Sequence, residues 1–382
     1  MKNDKFTPMI FLASLGAGGI AIIPFAFLQY IFPHGKGLIK IADIGHYELP
    51  LLQNLFYYSL ESIMIIFVLI HLLLSVIFFK KLIAFVRNEN YKKFIVDPLK
   101  NVAILAPFIS VVMTMNVFIG PVRFFIPAMA NNLQSLMWPA FIFWIFLFVL
   151  LLRLEIKLLK TSFEKSFDIS KITFGWLLHP FALGMLTVTG TGFAALAKNP
   201  DIANTAAFMS FISGSMGMFL FLVKIISIFR KYFAGEGLGE KQFLPSFLIV
   251  IPNITLYAIA AFRIGHYLEK QHHFHLDSYF LLVITIAFAF ETWYLLFGLA
   301  LLKDYFQKYY FKKEFYVTQW GLICPLVAYA VLSSFVYKAF VPSPFFYYTA
   351  LLFLIFAVLF YFDLLIRNMK CAGLLKADFK CF

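Results

Sequence analysis

The sequence predicts an all-α integral membrane protein. Ten transmembrane helices are expected as five helical hairpins, with an inner ring of five kinked odd-numbered helices around a central pore and an outer ring of five even-numbered ones. Three observations lead there. The 382 residues are 62% hydrophobic and only 13% charged, against about half apolar and about a quarter charged in a soluble domain. The apolar residues gather into ten runs of roughly the twenty residues that a bilayer requires. Lys and Arg then alternate in density between successive connections. The net charge of +13 is therefore read as topological, and nucleic acid is not expected as a partner.

Each span has its own justification in the sequence. Span 1, Pro8–Phe32, carries Gly16, Gly18, Gly19 and Pro24 in SLGAGGIAIIPF. It is too long for a signal-peptide core and lacks a small-residue cleavage site. Span 2, Leu52–Phe79, has no interior Gly or Pro. Span 3, Val102–Gly120, has Pro107 and runs into Pro121. Span 4, Leu133–Leu154, has Pro139. Span 5, Phe174–Ala197, has Pro180, Gly184, Gly190 and Gly192. Span 6, Ala203–Ile228, has Gly214 and Gly217. Span 7, Leu244–His266, has Pro245 and Pro252. Span 8, Ser278–Leu302, has Gly298. Span 9, Val317–Phe340, has Gly321 and Pro325. Span 10, Phe345–Ile366, is again plain. Residues 1–382 form one membrane domain, with 367–382 as a short tail.

The charges orient these spans. With the N-terminus inside, cytoplasmic segments hold 25 of the 32 Lys and Arg: Lys2 and Lys5, six in 80–100, five in 153–171, and four each in 224–241, 303–313 and 367–380. Lys36, Lys40, Arg123, Lys198, Arg263, Lys270 and Lys338 fall outside. Every inner connection is richer than every outer one. Both termini are expected in the cytoplasm of a multi-pass protein of the cell (inner) membrane.

Helix breakers concentrate in the odd spans. In a membrane, freed backbone groups are tolerated only where protein or a water-filled cavity covers them. The odd helices are therefore expected inside, with kinks at Pro24, Pro107, Pro180 and Pro252. Close packing through small residues explains part of the same pattern.

Three stretches resemble a known family, and the resemblance covers essentially all ten spans. They are DPLKNVAILAPFISVVMTM before and within span 3, IVIPNITLYAIAAF in span 7 and QWGLICPLVAYA in span 9. Together they resemble the tellurite-resistance/dicarboxylate transporter family, which includes bacterial TehA proteins, fungal malate and sulfite transporters and plant slow anion channels. The resemblance implies a route for small anions through each protomer, a homotrimer embedded in membrane lipids, and no cofactor, metal or enzymatic role. It also implies a pore plug on the ninth helix, where the family places Phe before the kink. Here Trp320 takes the family's Trp position, Pro325 the kink and Cys324 the plug. Around them, Gly321 and Leu322 belong to the same gate, and Phe108 and Phe181 on other odd spans are further candidates for the constriction. The thiol of Cys324 reads either as a small apolar filler or as a group for sulfur, selenium or tellurium chemistry, as in a subgroup linked to selenium or sulfur metabolism.

Polar residues on odd spans are candidates for the pore lining. Thr187, Thr189 and Thr191 in TVTGTG cannot share one helix face unless the helix unwinds, which Gly190 and Gly192 permit. Asn116 and Asn253 are similar uncharged donors. No Lys or Arg lies in the middle of an odd span. Glu61, His71 and Glu291 fall within even spans, where an interhelical hydrogen bond or proton coupling are the two readings. A proton-coupled exporter of dicarboxylates or chalcogen oxyanions is thus an alternative function. His179 is expected to bond the helix start or to attract anions at the cytoplasmic mouth. The histidine-rich HYLEKQHHFHLD is read as a solvated loop and AGEGLGEK as a flexible linker. Cys371 and Cys381 are expected as unpaired reduced thiols.

Overall fold

The computed structural model describes residues 6–235, 237–340, 342–375 and 380–381. Lys2, Lys5 and Lys376, which entered the charge pattern, lie outside the described residues. Among the described residues, ten helices are long and apolar enough to cross a membrane: Pro8–Ile31, Leu51–Val86, Asn101–Phe125, Leu133–Glu164, Phe174–Leu196, Pro200–Phe233, Lys241–His272, Asp277–Leu301, Val317–Ala339 and Pro344–Cys371.

Each of the ten expected spans coincides with one of these helices, but several run on. Span 2 ends at Val86 where Phe79 was expected, and span 4 at Glu164 where Leu154 was expected. Apolarity marks where lipid ends, whereas a helix continues as long as its backbone hydrogen bonds do. The extensions carry long charged side chains that suit a wet helix end. Where helices start sharply, the cap is visible. Asn199 accepts from the backbone N–H of Asp201 at 2.8 Å, with Pro200 in the first turn of span 6. Ser343 and Pro344 open span 10 in the same way.

Burial divides the spans by parity. In the most apolar stretch of spans 1, 3, 5, 7 and 9, 83, 61, 94, 72 and 78% of residues are buried; in spans 2, 4, 6, 8 and 10 the shares are 33, 33, 33, 39 and 28%. Span 1 touches spans 3 and 9, span 3 touches span 5, span 5 touches span 7, and span 7 touches span 9. Spans 2, 6, 8 and 10 each lie on the odd span before them, and span 4 lies on spans 3 and 5. Large apolar side chains left exposed on even spans, such as Leu69, Ile142, Phe219, Leu296 and Leu359, suit lipid or a second protein surface.

Contacts between connections gather at two ends. At the end that holds the tail, Trp176 Nε1 donates to the Pro98 carbonyl at 3.4 Å and Lys241 pairs with Glu314 at 2.9 Å. At the other, Lys270 donates to the Ala197 carbonyl at 2.6 Å and Arg123 to that of Ile39.

The odd-span prolines do something other than kink a helix in its middle. Pro107, Pro180, Pro252 and Pro325 each stand third in an α-helix, in Leu105–Val117, Leu178–Leu196, Val250–His272 and Ile323–Ala339. Each of these α-helices follows a 3₁₀-helix: Asn101–Ile104, Phe174–Leu177, Lys241–Ile249 and Val317–Leu322. A proline in the first turn forfeits no α-helical hydrogen bond. These residues mark a 3₁₀-to-α junction repeated in four spans. Pro24 differs, lying inside the helix Phe11–Ile31.

Two further expectations are corrected. Cys371 and Cys381 are joined by a disulfide. A two-residue parallel pairing, Glu314–Phe315 with Lys380–Cys381, folds the tail back and brings Cys381 to the end of span 10. Nor does span 5 unwind: Leu178–Leu196 is one continuous α-helix through Gly190 and Gly192. Gly190 serves close approach instead, since a Cβ there would stand 2.2 Å from the Trp144 ring and 2.3 Å from the Ser210 hydroxyl.

Candidate functional site

Two cavities lie among the odd spans. The larger, a chamber of about 180 Å³, is lined by residues from all five: Gly19, Asn116, Thr189, Ile259 and Val331 represent one span each. The smaller, about 20 Å³, lies among Met9, Gly175, Ser246, Thr318 and Gly321. These five sit in the 3₁₀ segments that precede the α-helices of spans 1, 5, 7 and 9. Phe181 and Cys324 line both cavities. The two side chains thus stand between a wide space and a narrow one.

Their positions follow from the junctions. Cys324 precedes Pro325 and Phe181 follows Pro180, so both sit in the first turn of an α-helix just past its 3₁₀ segment. Cys324 is buried and is the free cysteine among the described residues. Gly321 opens onto the narrow pocket, and a Cβ there would meet nothing within 4 Å. Neighbouring candidates point elsewhere. Trp320 is fully buried with its ring 5.1 Å from that of Tyr361 on span 10. Pro325 and Leu322 are buried in the core, and Phe108 is half-buried; none of the four lines either cavity.

The polar candidates separate by helix face. Thr189 lines the chamber and accepts from Asn116 Nδ2 at 2.9 Å, joining spans 3 and 5. Thr187 turns to span 6, with its hydroxyl 2.7 Å from that of Ser213. Thr191 donates to the Val188 carbonyl at 3.1 Å within its own helix. Asn253 donates to Ile249 and Leu177 carbonyls, while its neighbour Pro252 faces the chamber. On a helix that does not unwind, alternate residues cannot share a face.

Ionisable residues inside the spans are tied down. His71 bridges the Ser14 carbonyl, at 2.7 Å, and the Thr114 hydroxyl, at 2.8 Å, so it links spans 1, 2 and 3. Glu61 meets His46 at 2.8 Å. His179 meets Glu155 at 2.5 Å, and Lys224 lies over the Trp176 ring nearby. Glu291 accepts from Thr255 Oγ1 at 2.5 Å, and Thr255 lines the chamber.

Sequence reasoning missed Arg263, counted there as a flanking charge. It lies well inside the helix Val250–His272 and, among the described residues, is the one charged side chain lining the chamber. Its Nη1 donates to the Val188 carbonyl at 2.6 Å. The signal was present in the spacing: Pro252, Leu256, Ile259 and Arg263 recur at helical intervals along one face. Glu155 was missed too, because it looked like a charge at a span end.

The arrangement sets one ring and one thiol on the wall common to two cavities, with hydroxyl, amide and guanidinium groups lining the wider one. No curated protein matches the chain in sequence. A model of the voltage-dependent anion channel family matches residues 5–369, nearly the whole chain, and the protein therefore belongs to that family.

Proposed function

We propose that the protein is a channel for small anions, whose route runs from the wide chamber, between Phe181 and Cys324, into the narrow pocket. The single observation that carries this reading is that two cavities among the buried odd spans share those two residues as their common wall. The odd spans form the inner ring of five hairpins and the even spans the outer one, a reading supported by burial that splits by parity and by odd-span contacts that close on themselves. The narrow pocket lies on the cytoplasmic side with both termini, as the Lys and Arg distribution favours. Three protomers assemble through exposed even-span surfaces in the cell membrane. Permeant anions meet Arg263, Asn116 and Thr189 before the waist, where hydroxyl and amide groups replace water without binding too tightly.

The test is anion flux into proteoliposomes under an imposed voltage, with chloride, nitrate, malate and sulfite in turn. Wild type is expected to conduct, Cys324→Phe to be closed and Cys324→Ala to remain open. A Cys324→Phe protein that conducts like wild type places the waist elsewhere.

A second reading, proton-coupled export, has one observation in its favour: the hydrogen bond that ties buried Glu291 to chamber-lining Thr255. Dependence of flux on a pH gradient, lost in Glu291→Gln, separates it from a channel. Loss of flux in Cys324→Ala would instead favour thiol chemistry at the waist.

A further inference from the structure

Arg263 is a charge without a counter-charge. None of the ion pairs among the described residues involves it. One branch of its fork is used on the Val188 carbonyl at 2.6 Å, which is a dipole and not a charge. The guanidinium carries five donors, so one branch fixes the side chain and the others stay available. Gly192 keeps space beside it: a Cβ there would stand 3.3 Å from Nη1. A half-buried cation without a carboxylate is costly unless something anionic visits it.

The rest of the chamber has a different chemistry. Away from Arg263 its wall is largely apolar, with Leu15, Ile22, Met185, Ile259 and Val331 among the lining residues. A volume of about 180 Å³ far exceeds what one dehydrated halide fills. It is close to that of the engineered apolar cavity of about 150 Å³ that takes up benzene. A guanidinium at one place and a mostly apolar wall elsewhere, broken by Gln29, Asn116, Thr189 and Thr255, match a ligand that is itself divided in this way.

We propose that the chamber is a binding site for amphipathic organic monoanions, monocarboxylates with an apolar tail of about five carbons, with the carboxylate on Arg263 and the tail among Leu15, Ile22 and Val331. Planar carboxylate suits the guanidinium fork, which can hold it through two parallel hydrogen bonds. Each methylene buried on the aliphatic wall tightens binding roughly fourfold, and the gain stops when the chamber is full. Such a ligand either blocks the waist at Phe181 and Cys324 or passes it slowly. The proposal rests on the chamber being part of the anion route, so its test reads binding and flux separately.

The experiment is equilibrium binding of radiolabelled acetate, butyrate, hexanoate and decanoate to the purified full-length protein in detergent, with chloride flux measured in parallel. Affinity is expected to climb from acetate to hexanoate and to level off at decanoate. Arg263→Gln is expected to lower hexanoate affinity at least tenfold, as loss of a charge-assisted pair would, and Arg263→Lys to restore part of it. Val331→Phe, which fills the chamber without touching the charge, is expected to lose hexanoate while retaining acetate. Hexanoate binding no tighter than acetate overturns the proposal. So does unchanged binding in Arg263→Gln protein that melts like wild type, and so does affinity that climbs steadily through decanoate, the behaviour of a fatty acid partitioning into a lipid-facing groove. If hexanoate binds as expected to a protein that passes no anion, the site stands and the channel reading fails.

Discussion

The wide chamber and the narrow pocket share Phe181 and Cys324 but are built mainly from different types of helical turn. The chamber of about 180 Å³ is walled mainly by α-helical turns, the pocket of about 20 Å³ largely by 3₁₀ turns of spans 1, 5, 7 and 9. A 3₁₀-helix winds tighter than an α-helix and rises about 2.0 Å per residue against about 1.5 Å. Side chains that spread around a cavity on the α side are therefore redistributed on the 3₁₀ side. The two cavities meet where spans 5 and 9 change helix type, and Phe181 and Cys324, beside the prolines of those two junctions, stand on the shared wall.

Predictions can break or sharpen that contrast. The largest effect is expected at the proposed waist, where Phe181→Ala removes the ring that both cavities share and should raise anion flux several-fold, as widening an apolar constriction does; unchanged flux would show that the ring does not limit passage. Next is a matched pair with equal added volume. Gly321→Val grows into the open space of the narrow pocket and should cut flux strongly, whereas Ala26→Leu in the chamber should change it little. Equal effects on flux would erase the difference between the two spaces. A smaller effect, on stability, is expected for His71→Ala, which removes the imidazole's bonds to the Ser14 carbonyl and the Thr114 hydroxyl and should cost about 1–3 kcal/mol. Thermal melting should fall while the ion preference stays the same; a changed preference would extend the conduction machinery to span 2. The smallest is expected on reducing Cys371–Cys381, which releases the tail strand outside both cavities. Flux should stay near wild type, and a large change would make the tail part of the gate.

Much of this was legible in the sequence because it rests on composition. Ten apolar runs become ten helices, since a bilayer fixes their length and hydrogen bonding leaves few other structures. Cys324 could be named because the resemblance sets a plug before the kink of span 9, and Phe181 as a ring on another odd span, although Phe108, named with it, lines neither cavity. What the junction prolines do was not legible. A proline kinks a helix or starts one depending on the residues before it, and 3₁₀ turns leave no distinct pattern in an apolar run. Thr187 and Thr191 were misread because hydroxyls in a row suggested an open backbone, while Gly190 answers to Trp144 on a neighbouring helix. Arg263 escaped notice because a charge near a span end is normally topological. The disulfide depends on a strand pairing of two residues, too short to leave a periodic signal.

The central claim, that the route passes Cys324, is tested most directly with the native thiol. A membrane-impermeant, negatively charged methanethiosulfonate would be applied to proteoliposomes holding the Cys371→Ser, Cys381→Ser protein, in which Cys324 is the one remaining cysteine. Anion flux should fall as the reagent adds a charged group at the waist, and Cys324→Ala on the same background should be insensitive. Flux that persists after mass spectrometry shows Cys324 to be modified would contradict the account.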